Sequence, residues 1–257
     1  TVAILAQALC FARALPVNHT LFSRAARDNV WSQEVAWMWG WLLADGCVHR
    51  HGKNQATIIL AVQHRDRDVV ESIKAILQSE HAISDCTRAS CNRFGEPLRA
   101  SKLSFNSSVM AADLALLGIV PRKTHNARFF PGLLEPRNSA VLPHAVRGIF
   151  EGDGCLHRSP LGKWSLRFAG TMDVMETVQS VLASQTGGSA KGCLRQQCGT
   201  TWALSYQGNR SVPHLCEWLY REAEPECVLR RKALLAGGAR ELLCLQKKKK
   251  STSRRVA

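Results

Sequence analysis

"WLLADGCVHR" occupies Trp41–Arg50, and a close copy, "FEGDGCLHR", occupies Phe150–Arg158. In both, an Asp-Gly pair ends the run and is followed by Cys, an aliphatic residue, His and Arg. Asp45 and Asp153 stand 108 residues apart, as do Cys47 and Cys155. The match continues outward. "RDVVESIKAIL" (Arg67–Leu77) aligns with "MDVMETVQSVL" (Met172–Leu182), with Asp68 and Asp173 separated by 105. Cys86 and Cys91 align with Cys193 and Cys198 at 107, and "KLSFN" (Lys102–Asn106) aligns with "ALSYQ" (Ala203–Gln207) at 101. Offsets that drift slowly in one order mark a duplicated unit whose loops have changed length.

Each copy reads as helix, two strands, helix, two strands, helix. The first helix, about Ser32 to Ala44, is apolar almost all round, so it must be buried between other elements. Its partner runs from about Pro143 to Gly152. "HGKN" and "SPLGK" turn the first hairpins, "FGEP" and "CGT" the second, and helices fall at Val69–Gln78 and Val174–Ser184. The fold expected is α+β: two tandem αββαββα repeats about a pseudo-twofold axis. The divisions are an N-terminal extension (1–30), first repeat (31–130), linker (131–142), second repeat (143–245) and basic tail (246–257). The tail after Gln246 reads as unstructured.

Composition narrows the partner. The 257 residues are 46% hydrophobic, enough for a core, and no run is long and apolar enough to suggest a membrane span. The net charge is +14, and removing the six basic residues of "KKKKSTSRR" still leaves about +8. That excess favours a polyanion, nucleic acid first. Ten scattered cysteines and no signal-peptide pattern suit a reducing compartment. Residues Thr1–Arg27 hold three arginines and no acid, which fits an organellar leader or an extension from an upstream reading frame.

Gly40 and Ala44 share one helix face, as do Gly148 and Gly152, so small residues let the two helices pack closely and bring Asp45 and Asp153 together. A carboxylate at a helix C-terminus is disfavoured by roughly 0.3–1 kcal/mol, and a second one beside it adds repulsion. Divalent cations remove that cost. Mg²⁺ takes one or two carboxylates plus phosphate and water oxygens, and paired metals are a recurring solution for phosphodiester hydrolysis.

"MWGWLLADG" (Met38–Gly46) and "VRGIFEGDG" (Val146–Gly154) resemble the two signature helices of a LAGLIDADG homing endonuclease, and two motifs in one chain resemble the monomeric, pseudo-symmetric subfamily. The resemblance covers roughly residues 31–245. It implies an antiparallel β saddle lying in the DNA major groove and Mg²⁺-dependent cleavage of both strands, leaving 3′ overhangs at a long asymmetric target. Mn²⁺ should substitute, and Ca²⁺ should support binding without efficient cleavage. Carried over, the metal-binding acids are Asp45 and Asp153, helped by the carbonyls of Ala44 and Gly152. His64 resembles a water-organising position, with Thr171 or Met172 opposite it in the second copy. Lys123 in "GIVPRKT" and Lys232 in "VLRRKALL" resemble catalytic lysines. The earlier acidic position of the motif holds Leu43 in one copy and Glu151 in the other, where Glu151 is placed to perturb Asp153.

DNA contacts are expected on strand residues that alternate away from the core. The first repeat offers His49, Arg50, Lys53, Gln55 and Thr57, then Arg88, Ser90, Asn92, Arg99 and Ser101. The second offers His157, Arg158, Lys163, Ser165, Arg167, Arg195, Gln197 and Thr201. Arg and Lys suit guanine edges, Asn and Gln adenine. Cys86/Cys91 and Cys193/Cys198 give two potential zinc ligands per copy where four are needed, and their odd spacing puts each pair on opposite faces of a regular strand.

The expectation is therefore a monomeric DNA endonuclease acting on double-stranded DNA in a mitochondrion or chloroplast, with the nucleus or a bacterial cytoplasm as other settings. The alternative on the same fold is a maturase that binds its group I intron RNA. A transcription regulator lacks a helix-turn-helix here, and an intein is disfavoured by the terminal residues.

Overall fold

A computed structural model describes residues 15–52, 55–91, 97–186 and 190–253, with the side chains of 88–91, 97 and 242–253 outside the description. In the first half α1 (Ser23–Asp28) precedes α2 (Gln33–Ala44), β1 (Gly46–Arg50), β2 (Ala56–Gln63), α3 (Arg67–Ile76), β3 (Ser84–Cys91), β4 (Pro97–Asn106), α4 (Ser108–Leu116) and the single turn α5 (Lys123–Asn126). Short 3₁₀ turns fill the linker. The second half repeats the order with α6 (Leu142–Asp153), β5 (Cys155–Arg158), β6 (Trp164–Gly170), α7 (Met172–Gln185), β7 (Cys193–Cys198), β8 (Thr201–Gln207), α8 (Ser211–Tyr220) and α9 (Arg230–Ser253). The duplication read from the sequence is thus a duplication of structure.

Both sheets are antiparallel and share one topology, β1-β2-β4-β3 and β5-β6-β8-β7. Their alternation separates two faces. Ile58, Leu60 and Val62 on β2 and Leu103 and Phe105 on β4 join the core, as do Leu166 and Phe168 on β6 and Leu204 and Tyr206 on β8. Side-chain caps start the helices where the sequence supplies hydroxyls: Ser32 accepts from the Val35 N–H at 3.3 Å, and Ser107 from the Met110 N–H at 3.1 Å.

The two motif helices pack against each other at the centre of the molecule. Trp37, Trp39 and Trp41 of α2 are essentially fully buried, the consequence of a helix with no polar face. Contact is backbone to backbone: a Cβ on Gly40 would strike the Ala145 carbonyl and lie 2.8 Å from Gly148 Cα. One on Gly148 would strike the Trp37 carbonyl.

Two boundaries differ from the sequence expectation. Within residues 1–30, the segment from Val17 onward packs onto the first repeat: Phe22 is fully buried and Ser23 Oγ donates to Asp113 Oδ2 at 2.6 Å. Asn29, Asn138 and the Gly132 carbonyl form a buried hydrogen-bonded knot that ties this segment to the linker. At the other end α9 continues through the lysine run to Ser253, because lysine is a good helix former and cations suit a helix C-terminus.

Candidate active site

The two motif helices run side by side in the same sense, Gly40 against Gly148 and Ala44 against Gly152, so their C-terminal ends come together. Asp45 is the C-cap of α2, its N–H bonded to the Leu42 and Trp41 carbonyls, and Asp153 is the last residue of α6. A Cβ on Gly152 would strike the Ala44 methyl, so glycine there lets the two helix ends close together, with Asp45 Oδ2 3.5 Å from that position. A cavity of about 240 Å³ opens beside it, lined by Leu43, Ala44, Lys123, Ile149, Asp153 and Thr171, among others.

A lysine closes each helix end. Lys123 Nζ donates to the Leu43 carbonyl at 2.7 Å and to the Ala44 carbonyl. Lys232 Nζ donates to the carbonyls of Phe150, Glu151 and Gly154 at 2.8, 2.7 and 2.6 Å. All but that of Gly154 are carbonyls of the last helical turn, the Phe150 carbonyl also accepting the Gly154 N–H at 2.9 Å, and an ammonium is favoured there by the helix dipole. Lys232 is 3% exposed, and burial with the adjacent Arg231 pushes its pKa down to about 8. Burial also lowers Lys123, against the pull of Asp153 and Asp45, which both act on it. Asp153 keeps access to solvent, but surrounding protein raises its carboxyl above the ordinary value while Lys123 and Lys232 oppose the rise. Lys123 and Asp153 therefore line the cavity together, and Asp45 and Lys232 act on them electrostatically from the adjoining helix ends.

Glu151 does not belong to this site. It is fully buried, and its Oε2 accepts from Trp37 Nε1 at 2.7 Å and Trp41 Nε1 at 3.4 Å of α2. Burial raises its pKa, with Arg147 the main opposing charge. Asp153 is shifted by the protein around it and by the two lysines, not by Glu151. His64 also sits elsewhere, its Nδ1 3.0 Å from Ser101 Oγ and 3.3 Å from Asp85 Oδ1. Opposite it in the repeat, Thr171 is buried and caps α7, and Met172 opens that helix as an exposed side chain.

The strand faces sort the remaining candidates. His49 pairs with Thr57 across β1 and β2, and His157 with Ser165 across β5 and β6, all on the face away from the core, where Arg167 and Arg195 also lie. Thr201 lines the central cavity from β8, and Gln197 sits at the irregularity in β7. Gln55 and Lys163 are exposed beside the hairpin turns. Lys53 and Asn92 lie outside the described residues, as do the side chains of Arg88 and Ser90.

Four expected contacts take the core-side phase of their strands, although Arg50, Arg99 and Arg158 are exposed. Arg50 is registered with buried Ala56, and Arg158 with buried Trp164, whose ring it overlies at 5.7 Å. Ser101 is fully buried and donates to Asp85 Oδ1 at 2.6 Å, and Arg99 shares its phase opposite Thr87. The phase of β4 is set by Leu103 and Phe105, so counting back from them puts Arg99 and Ser101 on the core side. The same count exposes residues the sequence reading missed: Lys102, Ser104 and Asn106 on β4, and Ser205 and Gln207 on β8. The β7 irregularity also returns Cys198, opposite Thr201, to the side of Cys193, opposite Ser205, which a regular strand would forbid. No cluster of three or more His, Cys, Asp or Glu able to hold a metal occurs among the described residues.

No protein-family model matches this sequence, and no curated protein sequence matches it. Solved structures do. The homing endonuclease I-WcaI bound to its DNA recognition sequence aligns with a TM-score of 0.52 at 12% identity, over 82% of this chain and 91% of that one. The LAGLIDADG homing endonuclease I-GzeII in complex with its DNA target aligns at 0.49 and 12%, over 85% and 91%. The N-terminal LAGLIDADG domain of DUF199/WhiA aligns at 0.47 and 13%, over 81% and 92%. The chain has the two-repeat LAGLIDADG fold.

Proposed function

We propose that the chain is a sequence-specific DNA endonuclease that makes metal-dependent double-strand breaks with 3′ overhangs. The observation that carries this reading is the pair of aspartates, one from each duplicated motif, meeting at a glycine-packed seam with a lysine at each helix end. A merely structural Asp-Gly stop gives no reason to gather two carboxylates in one place.

The donor set suits Mg²⁺. Asp45, Asp153 and the Ala44 and Gly152 carbonyls are hard oxygen donors, and with only two carboxylates the site leaves coordination positions for phosphate oxygens, as Mg²⁺ prefers. Lys123 Nζ now lies on the Ala44 carbonyl, so that oxygen already faces a cation. When bound, the metal supplies Lewis-acid stabilisation of charge on the phosphoryl oxygens. The protein's own part is positional and electrostatic. The seam fixes the carboxylates, and the lysines add positive charge where the transition state gains negative charge. The outward strand faces hold the duplex.

Those faces are not identical. His49, Thr57 and Lys102 on one sheet stand against His157, Ser165, Arg167 and Arg195 on the other, which suits an asymmetric target read by one chain. Double-stranded DNA is the partner proposed.

Cleavage selection on a randomised duplex library with Mg²⁺, Mn²⁺ or Ca²⁺ tests the proposal. Mg²⁺ and Mn²⁺ should support cutting, and Ca²⁺ binding with little cutting. Asp45→Asn or Asp153→Asn should abolish double-strand cleavage while changing affinity by less than about tenfold, or about 1.4 kcal/mol. Normal cleavage by either variant, or blunt products, would overturn it. Tight binding to a group I intron RNA without any cleavable duplex would give the case to a maturase.

A further inference from the structure

The sequence match that pairs Asp68 with Asp173 also pairs Asp66 with Thr171, since both stand 105 apart. The roles given to the acids leave these positions unexplained, yet both are buried and polar. Asp66, in the first half, accepts two hydrogen bonds from Arg231 in the second, Nε to Oδ1 at 2.6 Å and Nη2 to Oδ2 at 2.8 Å. Arg231 immediately precedes Lys232. Thr171, in the second half, donates through Oγ1 to the Ala127 carbonyl of the first half at 2.7 Å. Ala127 N–H in turn caps the single turn that begins at Lys123, bonding the Lys123 carbonyl at 2.8 Å. Asp173 adds a bond from the Phe129 N–H at 2.8 Å, and Asp68 lies 3.7 Å from Arg230.

We propose that Asp66 and Thr171 are positioning residues, each holding the lysine-bearing segment of the opposite repeat so that neither half of the site is complete without the other. The crossing is the informative part. Each lysine caps the motif helix of its own repeat, whereas its segment is anchored by the other repeat. A bidentate Arg–carboxylate pair fixes orientation as well as distance, and this carboxylate is almost wholly buried. On the other side Arg122 adopts φ 58°, a left-handed backbone unusual for a residue with a side chain, which persists only where neighbouring contacts over-determine it. The two anchors differ in chemistry but occupy equivalent positions, as expected of one arrangement kept through divergence of the repeats.

This inference rests on the endonuclease reading for its catalytic part only, so the test has two readouts. The first is reductive methylation of the folded, full-length chain with formaldehyde and cyanoborohydride as hydride donor, quantified by mass spectrometry for each lysine. Asp66→Ala, or Arg231→Lys where Asp66→Ala fails to fold, should raise Lys232 labelling about tenfold or more and leave Lys123 unchanged. Thr171→Val should raise Lys123 labelling and leave Lys232 unchanged, and Thr171→Ser, which keeps the hydroxyl, should restore protection. Unchanged labelling, or both lysines rising together, overturns the proposal. The second readout is strand-resolved cleavage of a selected duplex. Each variant should slow the cut on one strand more than on the other, so that nicked duplex accumulates. Equal slowing of both strands overturns the catalytic part. If labelling follows the crossed pattern but the unmodified chain cuts no duplex, the endonuclease reading fails and the crossed anchoring stands.

Discussion

Gly148→Ala tests the seam on which every other argument depends. In an open helix this change is stabilising by about 0.8–1.0 kcal/mol, because alanine loses less backbone entropy. Here the added Cβ would collide with the Trp37 carbonyl and stand 2.9 Å from Gly40 Cα and 3.0 Å from the Trp41 nitrogen. Carbon contacts are favourable near 3.5–4.0 Å, so α2 and α6 must part by several tenths of an ångström to about 1 Å. All three obstacles are main-chain atoms of a helix, and no rotamer change relieves them. Overpacking costs about 1–3 kcal/mol, and a rigid backbone on both sides puts this site at the upper end. The net expectation is a loss of about 2 kcal/mol, or a fall in Tm of about 4–8 °C for a chain of this length. Urea and thermal unfolding measure it directly, and Gly40→Ala should match it. A Gly148→Ala variant as stable as the parent, or more so, would refute the backbone-to-backbone seam.

Two further expectations concern pH and the DNA face. Burial, aided by Arg147, pushes the pKa of His144 down to about 4, so the unfolded chain takes up a proton that the folded chain refuses. Stability should therefore fall as pH drops from about 6.5 to 4, by about 3 kcal/mol in all. His144→Leu should flatten that fall in equilibrium unfolding, and an unchanged pH profile would contradict it. Arg167→Ala and Lys102→Ala should each lower DNA affinity and reduce the salt slope by about one where they meet a phosphate. Arg158→Ala, on the core-side phase, should leave the slope unchanged. The opposite pattern would mean the duplex meets the other side of the sheets.

The duplication was legible because it left identities at registered positions, and the motif helices because α2 has no polar face. The carboxylate pair followed from Gly40, Ala44, Gly148 and Gly152, whose spacing already implies close approach. Strand phase was harder. Ser101 and Arg99 look outward when polar residues are counted, and only the aliphatic positions Leu103 and Phe105 reveal their true side. Irregularities in β3 and β7 erase parity altogether, since one residue reverses every side chain beyond it. Glu151 was not readable either: its partners Trp37 and Trp41 lie more than a hundred residues away, and nothing local distinguishes a buried acid from a solvated one.

That last contact has a consequence for how the chain is made. α2 leaves the ribosome first, and α6 begins at Leu142, about a hundred residues later. At about 5–20 residues per second the delay is on the order of 5–20 s. Throughout it, Trp37 and Trp41 lack both the helix that covers them and the carboxyl that receives their indole N–H groups. A nascent first half thus displays an adhesive apolar helix whose natural cover is a sequence related to itself. Two such halves from neighbouring chains can pair in its place.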